Sequence, residues 1–260
     1  MCGFAGIVET KSVTGRENLG TIVTRMTLTM VHRGPDDAGV WHDADAGIAL
    51  GHRRLAIVDL SVNGHQPMES ACGRYIIVYN GEIYNFPDLQ KELEKNGAAV
   101  AWRGHSDTEV MLVAIAHWGL EAAVQRFVGM FAFALWDRRD RTLHLVRDRM
   151  GEKPLYYGWM GQVLLFGSEL KALRAYPGWR GEIDRNALTL FMRHDYIPAP
   201  HTIYQGIHKL LPGTILSLSK DTVWNAKESC KPVAYWSVRD VAGRGKGKRY
   251  GGSSREPGDE

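Results

Sequence analysis

The chain opens with Cys2-Gly3-Phe4-Ala5-Gly6-Ile7-Val8, directly after the initiator methionine. Small residues alternate with apolar ones here, which predicts a buried strand that fixes the N-terminus rather than a frayed tail. Removal of Met1 would leave Cys2 with a thiol and a free α-amine on one residue. An α-amine has a pKa of about 7.7–8.0, so it can serve as a base near neutral pH and activate a thiol. The stretch therefore predicts a nucleophile at the end of a core strand.

The composition is that of a globular protein. The 260 residues are 44% apolar and 23% charged, which indicates one large domain or a domain with an extension. No run of about 18 apolar residues and no basic-then-apolar leader is present, so we expect a cytoplasmic protein without a membrane segment. Cys2, Cys72 and Cys230 are widely spaced, and ten histidines lack a metal-ligand spacing. We therefore expect neither a disulfide framework nor a bound metal, and we interpret Cys72 and Cys230 as ordinary cysteines.

The net charge of +3 is concentrated at the C-terminal end. Residues 243–260 carry five basic and three acidic side chains, so the rest of the chain is nearly neutral and does not predict nucleic-acid binding. This segment has one aromatic and no aliphatic side chain, and it cannot bury enough surface to offset the entropy of ordering. We expect a disordered, basic, glycine-rich tail.

Hydrophobic periodicity predicts the elements between these ends. Helical spacing is present around Leu19 to Met30, and further helices are predicted over 86–96, 107–118, 169–175 and 187–194. Strands are predicted at Ile48-Ala49-Leu50, Leu55-Ala56-Ile57-Val58, Tyr75 to Tyr79, 130–137, 143–148, 155–159, 163–166 and 215–218. Sheets interleaved with paired helices indicate an α+β fold in which helices cover stacked sheets.

Five motifs follow one another in a fixed order: Cys2-Gly3, His32-Arg33-Gly34-Pro35-Asp36-Asp37, Gly51-His52-Arg53-Arg54-Leu55, Asn80-Gly81-Glu82-Ile83-Tyr84-Asn85 and Ser106-Asp107-Thr108-Glu109. Together they resemble the N-terminal-nucleophile glutaminase domain of class II glutamine amidotransferases. The wording HRGPDD and NGEIYN is similar to the glutamine-hydrolysing asparagine synthetases, as are Arg147 to Tyr157 and Asp195 to Gly213. The resemblance covers residues 2 to about 238.

This resemblance implies a four-layer αββα sandwich of two stacked, mainly antiparallel sheets covered by helices. We expect a glutaminase domain over 2–218, the start of an interdomain linker over 219–242, and the tail over 243–260. The implied activity is hydrolysis of the glutamine side-chain amide to glutamate and ammonia, through a thioester on Cys2.

Asn80-Gly81 has two interpretations. Locally, the pair is typical of a turn after a strand, because both residues tolerate positive φ. An acyl-transfer site, however, needs donors directed at the oxyanion, and a side-chain amide with a neighbouring main-chain N–H supplies them. The resemblance implies that the Asn80 side chain and the Gly81 N–H form this oxyanion hole.

The substrate-binding residues also have local alternatives. Arg54 could be a solvent-exposed charge beside Arg53, but an arginine fork can bind an α-carboxylate, and its position matches that role in the family. Asp107 could be a helix cap, whereas the matching acid in the family receives the α-ammonium group, with Glu82 nearby. The resemblance also places Ile57 at the substrate.

Arg33 and Asp36 are expected to order the loop beside the nucleophile, although a salt-bridged N-terminal loop accounts for them equally well. The resemblance implies no cofactor for the glutaminase half. ATP and magnesium would belong to a synthetase domain, and the chain stops before that domain's S-G-G-x-D-S loop. We therefore expect either a truncated synthetase or a domain that works with a separate synthetase or acceptor protein. Glutamine is the expected substrate, and a homodimer is one assembly open to such a domain.

Three alternatives remain at this point. The domain could be a regulatory module with little or no activity, it could supply an acceptor other than aspartate, or it could act on a different amide. The combination of Cys2, Asn80, Gly81 and Asp107 argues against an inactive domain. Arg54 and Asp107 argue against a different amide, because they match the two charged ends of a free amino acid.

Overall fold

Strand β1 (Gly3–Glu9) is buried along its whole length, and this explains its continuous run of small and apolar residues. The computed structural model describes residues 1–9, 18–98, 101–219 and 231–246. β1 pairs antiparallel with β3 on one side and with β9 on the other, so both of its edges are used as well as both of its faces.

Twelve strands are present in the described residues, in chain order β1 (Gly3–Glu9), β2 (Asp37–Asp43), β3 (Ile48–Arg54), β4 (Met68–Glu69), β5 (Tyr75–Ile83), β6 (Gly129–Asp137), β7 (Thr142–Arg147), β8 (Tyr156–Met160), β9 (Val163–Gly167), β10 (Ile207–Lys209), β11 (Thr214–Ser219) and β12 (Val233–Ala234). They form two six-stranded sheets. Sheet A has the order β10-β8-β9-β1-β3-β2, and sheet B has the order β12-β11-β7-β6-β5-β4. All pairings within the two sheets are antiparallel.

Seven α-helices are described: α1 (Leu19–Leu28), α2 (Phe86–Lys95), α3 (Asp107–Trp118), α4 (Leu120–Arg126), α5 (Leu170–Arg174), α6 (Arg185–His194) and α7 (Val238–Lys246). A 3-10 turn spans Val62–Gly64. The helix predictions at 107–118 and 187–194 are confirmed closely. Ser106 caps α3 by accepting a hydrogen bond from the Glu109 N–H, and Asp184 caps α6.

Three apolar cores separate four layers. The first packs α1 and α5 on sheet A, the second lies between the two sheets, and the third packs sheet B on α2, α3 and α4. Alternate residues of β1 serve two of these cores: Phe4 and Val8 enter the core between the sheets, while Ala5 and Ile7 pack against α1. The structure thus has the predicted α+β order of helices, sheet, sheet and helices.

One predicted strand is wrong. Leu55-Ala56-Ile57-Val58 does not extend β3, which ends at Arg54 where its pairing with β2 ends at Asp37. Beyond that point the chain forms a loop, and Ile57 is 67% exposed. The apolar residues that suggested a strand therefore line the surface of a depression instead of a core.

The predicted tail is partly wrong. α7 runs through Gly243 to Lys246, so the beginning of the segment expected to be disordered is helical. The helix starts after Ser237, which accepts main-chain hydrogen bonds from Asp240 and Val241. Residues 247–260 lie outside the described residues, as does Cys230. In the part of the chain that is described, no helix is long and apolar enough to cross a membrane.

Candidate active site

Cys2 is held at the beginning of β1 by contacts on both sides of the residue. The Leu55 N–H donates to Cys2 Sγ at 3.3 Å, and the thiol lies 3.6 Å from the Leu55 carbonyl oxygen. Arg33 Nε donates to the Cys2 carbonyl oxygen at 2.8 Å. A Cβ at Gly3 would lie 3.1 Å from Arg33 Cδ, so the small residue allows the arginine to approach the strand.

The thiol of Cys2 is mainly protonated at neutral pH in this environment. Burial raises its pKa above the ordinary value. The Leu55 hydrogen bond, the positive N-terminus and the Arg54 guanidinium act in the opposite direction but do not reverse the shift. A base close to the sulfur is therefore needed to generate the thiolate.

Asn80 and Gly81 lie inside β5, so the interpretation of this pair as a turn is wrong. Alternate residues of an antiparallel strand direct their main-chain groups to the same edge. On the edge that faces β4, that short strand pairs with Ile76 and Ile77, through Glu69 and Met68. Further along the same edge, Tyr79 and Ile83 find their partners among side chains.

The Gly81 N–H belongs to this unpaired edge. The residue opposite Gly81 on β6 is Phe131. Its N–H donates to Asp148 Oδ2 and its carbonyl accepts from the Asp148 N–H, so neither group bonds to Gly81. A side chain at position 81 would overlap the Met130 carbonyl and Phe131. The Gly81 N–H is therefore free of the sheet ladder and faces the site.

The Asn80 side chain is 99% buried, with a relative exposure of 1%. Its Nδ2 has no hydrogen-bond partner among the described residues. A buried amide that donates to nothing costs free energy, and native proteins rarely keep one without a use. An unpartnered amide beside a free main-chain N–H is the arrangement that a developing oxyanion requires.

Arg54 is buried at the end of β3, so its interpretation as a solvent-exposed charge is wrong. Its Nη1 donates to the Ser61 carbonyl at 2.8 Å, and its Nη2 donates to the Asp59 carbonyl. Any side chain at Gly64 would overlap the guanidinium group. These contacts fix a cation in the wall of the depression, and N–H groups of the fork remain for a ligand.

Asp107 faces the same depression from the first turn of α3. Its Oδ2 accepts hydrogen bonds from the Tyr79 hydroxyl at 2.8 Å and from the Ile83 N–H at 2.9 Å. Burial raises the pKa of Asp107, and the nearby Glu82 adds to the shift, while these hydrogen bonds oppose it. Since Ser106 provides the helix cap, the carboxylate of Asp107 serves a different purpose, and a cation bound here would favour its charged form.

One pocket contains most of the predicted site. It is lined by seven of the nine predicted residues: Cys2, Arg54, Ile57, Asn80, Gly81, Glu82 and Asp107. Arg33 and Asp36 are not among the residues that line it. Arg33 also pairs with Glu169 at 3.0 Å, and Asp36 Oδ2 accepts from the Ala56 N–H at 2.9 Å. Arg33 thus contacts the main chain of Cys2, and Asp36 contacts the loop that follows β3; their ordering role stays a prediction.

The sequence interpretation missed four residues that line or support the pocket: His52, Gln66, Tyr79 and Lys153. The Nζ of the buried Lys153 donates to Met1 Sδ at 3.1 Å, so the methionine occupies one side of the pocket. His52 and Tyr79 stand inside or beside the quoted motifs and could have been found there. Gln66 has no comparable signal in the sequence.

The fold and this site define a glutamine amidotransferase domain, and the comparisons with known proteins agree. The chain belongs to the family described as the glutamine amidotransferase domain, whose model matches residues 1–231. It is 39% identical over 245 residues to asparagine synthetase (glutamine-hydrolyzing) 3 of Bacillus subtilis, covering 92% of this chain and 37% of that protein.

A putative asparagine synthetase 2 of Methanocaldococcus jannaschii is 34% identical over 258 residues, with 92% of this chain and 47% of that protein covered. The chain thus spans less than half the length of these relatives. Among solved structures, the glutamine phosphoribosylpyrophosphate amidotransferase of B. subtilis superposes with a TM-score of 0.64 at 19% identity, covering 90% of this chain and 49% of that one. That likeness confirms the predicted fold, a sandwich of two stacked antiparallel sheets covered by helices.

Proposed function

We propose that this domain hydrolyses the side-chain amide of glutamine to glutamate and ammonia, with Cys2 as the nucleophile. The observation that carries the proposal is the grouping in one pocket of a thiol, the Gly81 residue, opposite fixed charges and the Asn80 amide, whose Nδ2 has no partner among the described residues. Arg54 fits an α-carboxylate and Asp107 with Glu82 fits an α-ammonium group. Both Arg54 and Asp107 lie near enough to Cys2 to affect the pKa of its thiol.

The chemistry requires removal of Met1. The α-amine of Cys2 then accepts the thiol proton, directly or through water, and the thiolate attacks the carboxamide carbon. Negative charge develops on the amide oxygen, where Asn80 Nδ2 and the Gly81 N–H can donate to it. The protonated amine returns the proton to the departing ammonia, which leaves a γ-glutamyl thioester on Cys2. Attack by water on the thioester carbonyl releases glutamate and regenerates the thiol.

The fate of the ammonia is a separate proposal. Because the similar proteins bear the name asparagine synthetase, we propose that the ammonia is delivered to a synthetase or another acceptor protein. ATP and magnesium would act in that second component. The cytoplasmic location, the expected linker and a homodimeric assembly remain predictions.

The test is release of glutamate from glutamine by the purified protein. Asparagine should be a poor substrate, because its amide is one methylene closer to the charged groups. Two further compounds test the recognition of each charged group of glutamine separately. Glutaramate lacks the α-ammonium group, and 4-aminobutanamide lacks the α-carboxylate. Both should be turned over far more slowly than glutamine. Equal rates on all four compounds would contradict recognition of a free amino acid.

A further inference from the structure

The nucleophile and the oxyanion donors lie on different sheets, and one buried histidine connects the two. Cys2 precedes β1 in sheet A, whereas Asn80 and Gly81 are part of β5 in sheet B. His52 is on β3, the neighbour of β1, and it pairs there with Phe4. Its side chain crosses to sheet B, where Nε2 lies 2.9 Å from the carbonyl oxygen of Tyr79.

The contact has a defined direction. A carbonyl oxygen accepts and cannot donate, so His52 Nε2 must carry the proton. The imidazole is 1% exposed, and Nδ1 has no partner in the described part of the chain. Burial lowers the pKa of His52 to about 4, outweighing the hydrogen bond to Tyr79, which acts in the other direction. The ring is therefore neutral at physiological pH, with Nε2 as a hydrogen-bond donor and Nδ1 as an acceptor.

His52 acts together with Gln66 on the same residue. Gln66 Oε1 accepts a hydrogen bond from the Tyr79 N–H at 2.7 Å. Both main-chain groups of Tyr79 on the edge facing β4 are thus satisfied by side chains, at a point that β4 does not reach. We refer to His52 and Gln66 as the Tyr79 clamp. The next residue is Asn80, and the next N–H on this edge is that of Gly81.

We propose that His52 is a positioning residue for the oxyanion hole: the Tyr79 clamp replaces the missing strand partner and so sets the direction of the Asn80 side chain and the Gly81 N–H. This inference rests on the proposed function. It assigns His52 no contact with substrate. Its effect passes through the carbonyl of Tyr79, which is joined by this peptide to Asn80, whose side-chain Nδ2 has no partner among the described residues.

The physical reason is that an unpaired strand edge is free to change its twist and the tilt of its peptides. Oxyanion donors are effective only when they are fixed at hydrogen-bond distance from the charge that develops. Asp107 is held by the Ile83 N–H as well as by the Tyr79 hydroxyl, so the site for the ammonium group does not depend on the clamp alone. Loss of the clamp should therefore affect the chemical step more than substrate binding.

The experiment compares His52→Leu, which removes the donor at similar size, with His52→Gln, which can return an amide N–H toward Tyr79. His52→Leu should lower kcat for glutamine by about 10- to 100-fold, with KM changed less than about threefold. His52→Gln should recover most of the loss. Equal kcat in His52→Leu and wild type would overturn the proposal, as would equal losses in the Leu and Gln variants.

Two further variants test the role of the clamp if His52→Leu alone is not informative. If His52→Leu does not fold, Gln66→Met removes the other half of the clamp, and it should lower kcat with a similarly small change in KM. His144→Leu is the matched control, because this partly buried histidine bonds to Ser217 on the other side of sheet B and should leave kcat unchanged.

NMR resonances of the Asn80 side-chain amide and the Gly81 N–H provide a readout independent of turnover. They should shift in His52→Leu and return toward wild type in His52→Gln. An inactive wild-type protein would contradict the proposed function. Unshifted resonances would contradict the role of His52, whether or not the protein turns over glutamine.

Discussion

Arg33 donates from Nε to the carbonyl oxygen of Cys2 at 2.8 Å. The arginine is itself held by Glu169, next to α5. This contact fixes the main chain of the proposed nucleophile, and the hydrogen bond from the Leu55 N–H to Sγ holds its side chain. The side of Cys2 that bears Met1 faces the pocket, where the methionine contacts Lys153.

We predict that only protein lacking Met1 is active. Retained Met1 would convert the α-amine of Cys2 into an amide, which cannot act as a base, and would fill part of the pocket. Intact-mass analysis of fractions separated by activity provides the measurement. Full activity in a fraction that retains Met1 would show that another group takes the thiol proton.

Cys2→Ala should abolish glutamate release, because the proposed thioester can no longer form. The melting temperature should change by only a few degrees, since the small, half-buried thiol contributes little to the core. Cys72→Ala is the matched control, because Cys72 is an exposed free cysteine outside the pocket and should leave the rate unchanged. Residual turnover by Cys2→Ala above the background rate would place the nucleophile elsewhere.

Asn80→Ala should lower kcat by about 10²–10³ with a smaller change in KM, because the lost hydrogen bond is strongest when negative charge has developed on the amide oxygen. Stability should be preserved or improved, since the variant removes a buried donor that has no partner in the described structure. Steady-state kinetics and thermal unfolding check both statements. A large loss of stability with unchanged kcat would indicate a purely structural role.

Arg54→Lys should raise KM for glutamine by about 10- to 100-fold, because an ammonium group cannot reproduce a two-point hydrogen bond to a carboxylate. Arg53→Lys provides the control. Its neighbouring guanidinium donates to the Gly34 carbonyl at 3.0 Å and does not line the pocket, so KM should change little. Similar KM values in the two variants would argue against carboxylate binding by Arg54.

The sequence was sufficient to predict the layers and seven of the residues that line the pocket, because both depend on local patterns. Alternating small and apolar residues gave β1, and the five ordered motifs gave the pocket residues. It was not sufficient where tertiary pairing decides the outcome. Asn80-Gly81 has the composition of a turn, yet pairing with β6 keeps it in β5.

Leu55 to Val58 illustrates the opposite error. Its apolar residues are typical of a strand, but β2 offers no partner beyond Asp37, so the segment forms the loop that supports Cys2 through Leu55. The role of Gln66 could not have been predicted, because it depends on how far β4 extends along β5. β4 begins at Met68, which pairs with Ile77, so Tyr79 has no partner in β4 and bonds to the Gln66 side chain instead. Such roles arise from the three-dimensional edge of a sheet and leave no local pattern.

The stability of the fold should depend on pH through His52. The pKa of this histidine is lowered from 6.5 to about 4 by burial. Between these values the unfolded chain binds a proton that the folded chain does not. The contribution of His52 to the free energy of unfolding is therefore fully present above pH 6.5 and is lost as the pH falls toward 4. The decrease from pH 7 to pH 4.5 should be about 2–3 kcal/mol for this one group.

Urea unfolding of the wild type and of His52→Gln at both pH values isolates the contribution. Asp37, Arg54 and His65 also act on His52, and His65 pairs with Asp37 at 2.7 Å, but these groups are present in both proteins and largely cancel in the difference. The stability advantage of wild type over His52→Gln should therefore shrink on acidification by about 2–3 kcal/mol. A constant difference across this range would mean that His52 is protonated in the folded protein, and its Nδ1 would then need an acceptor.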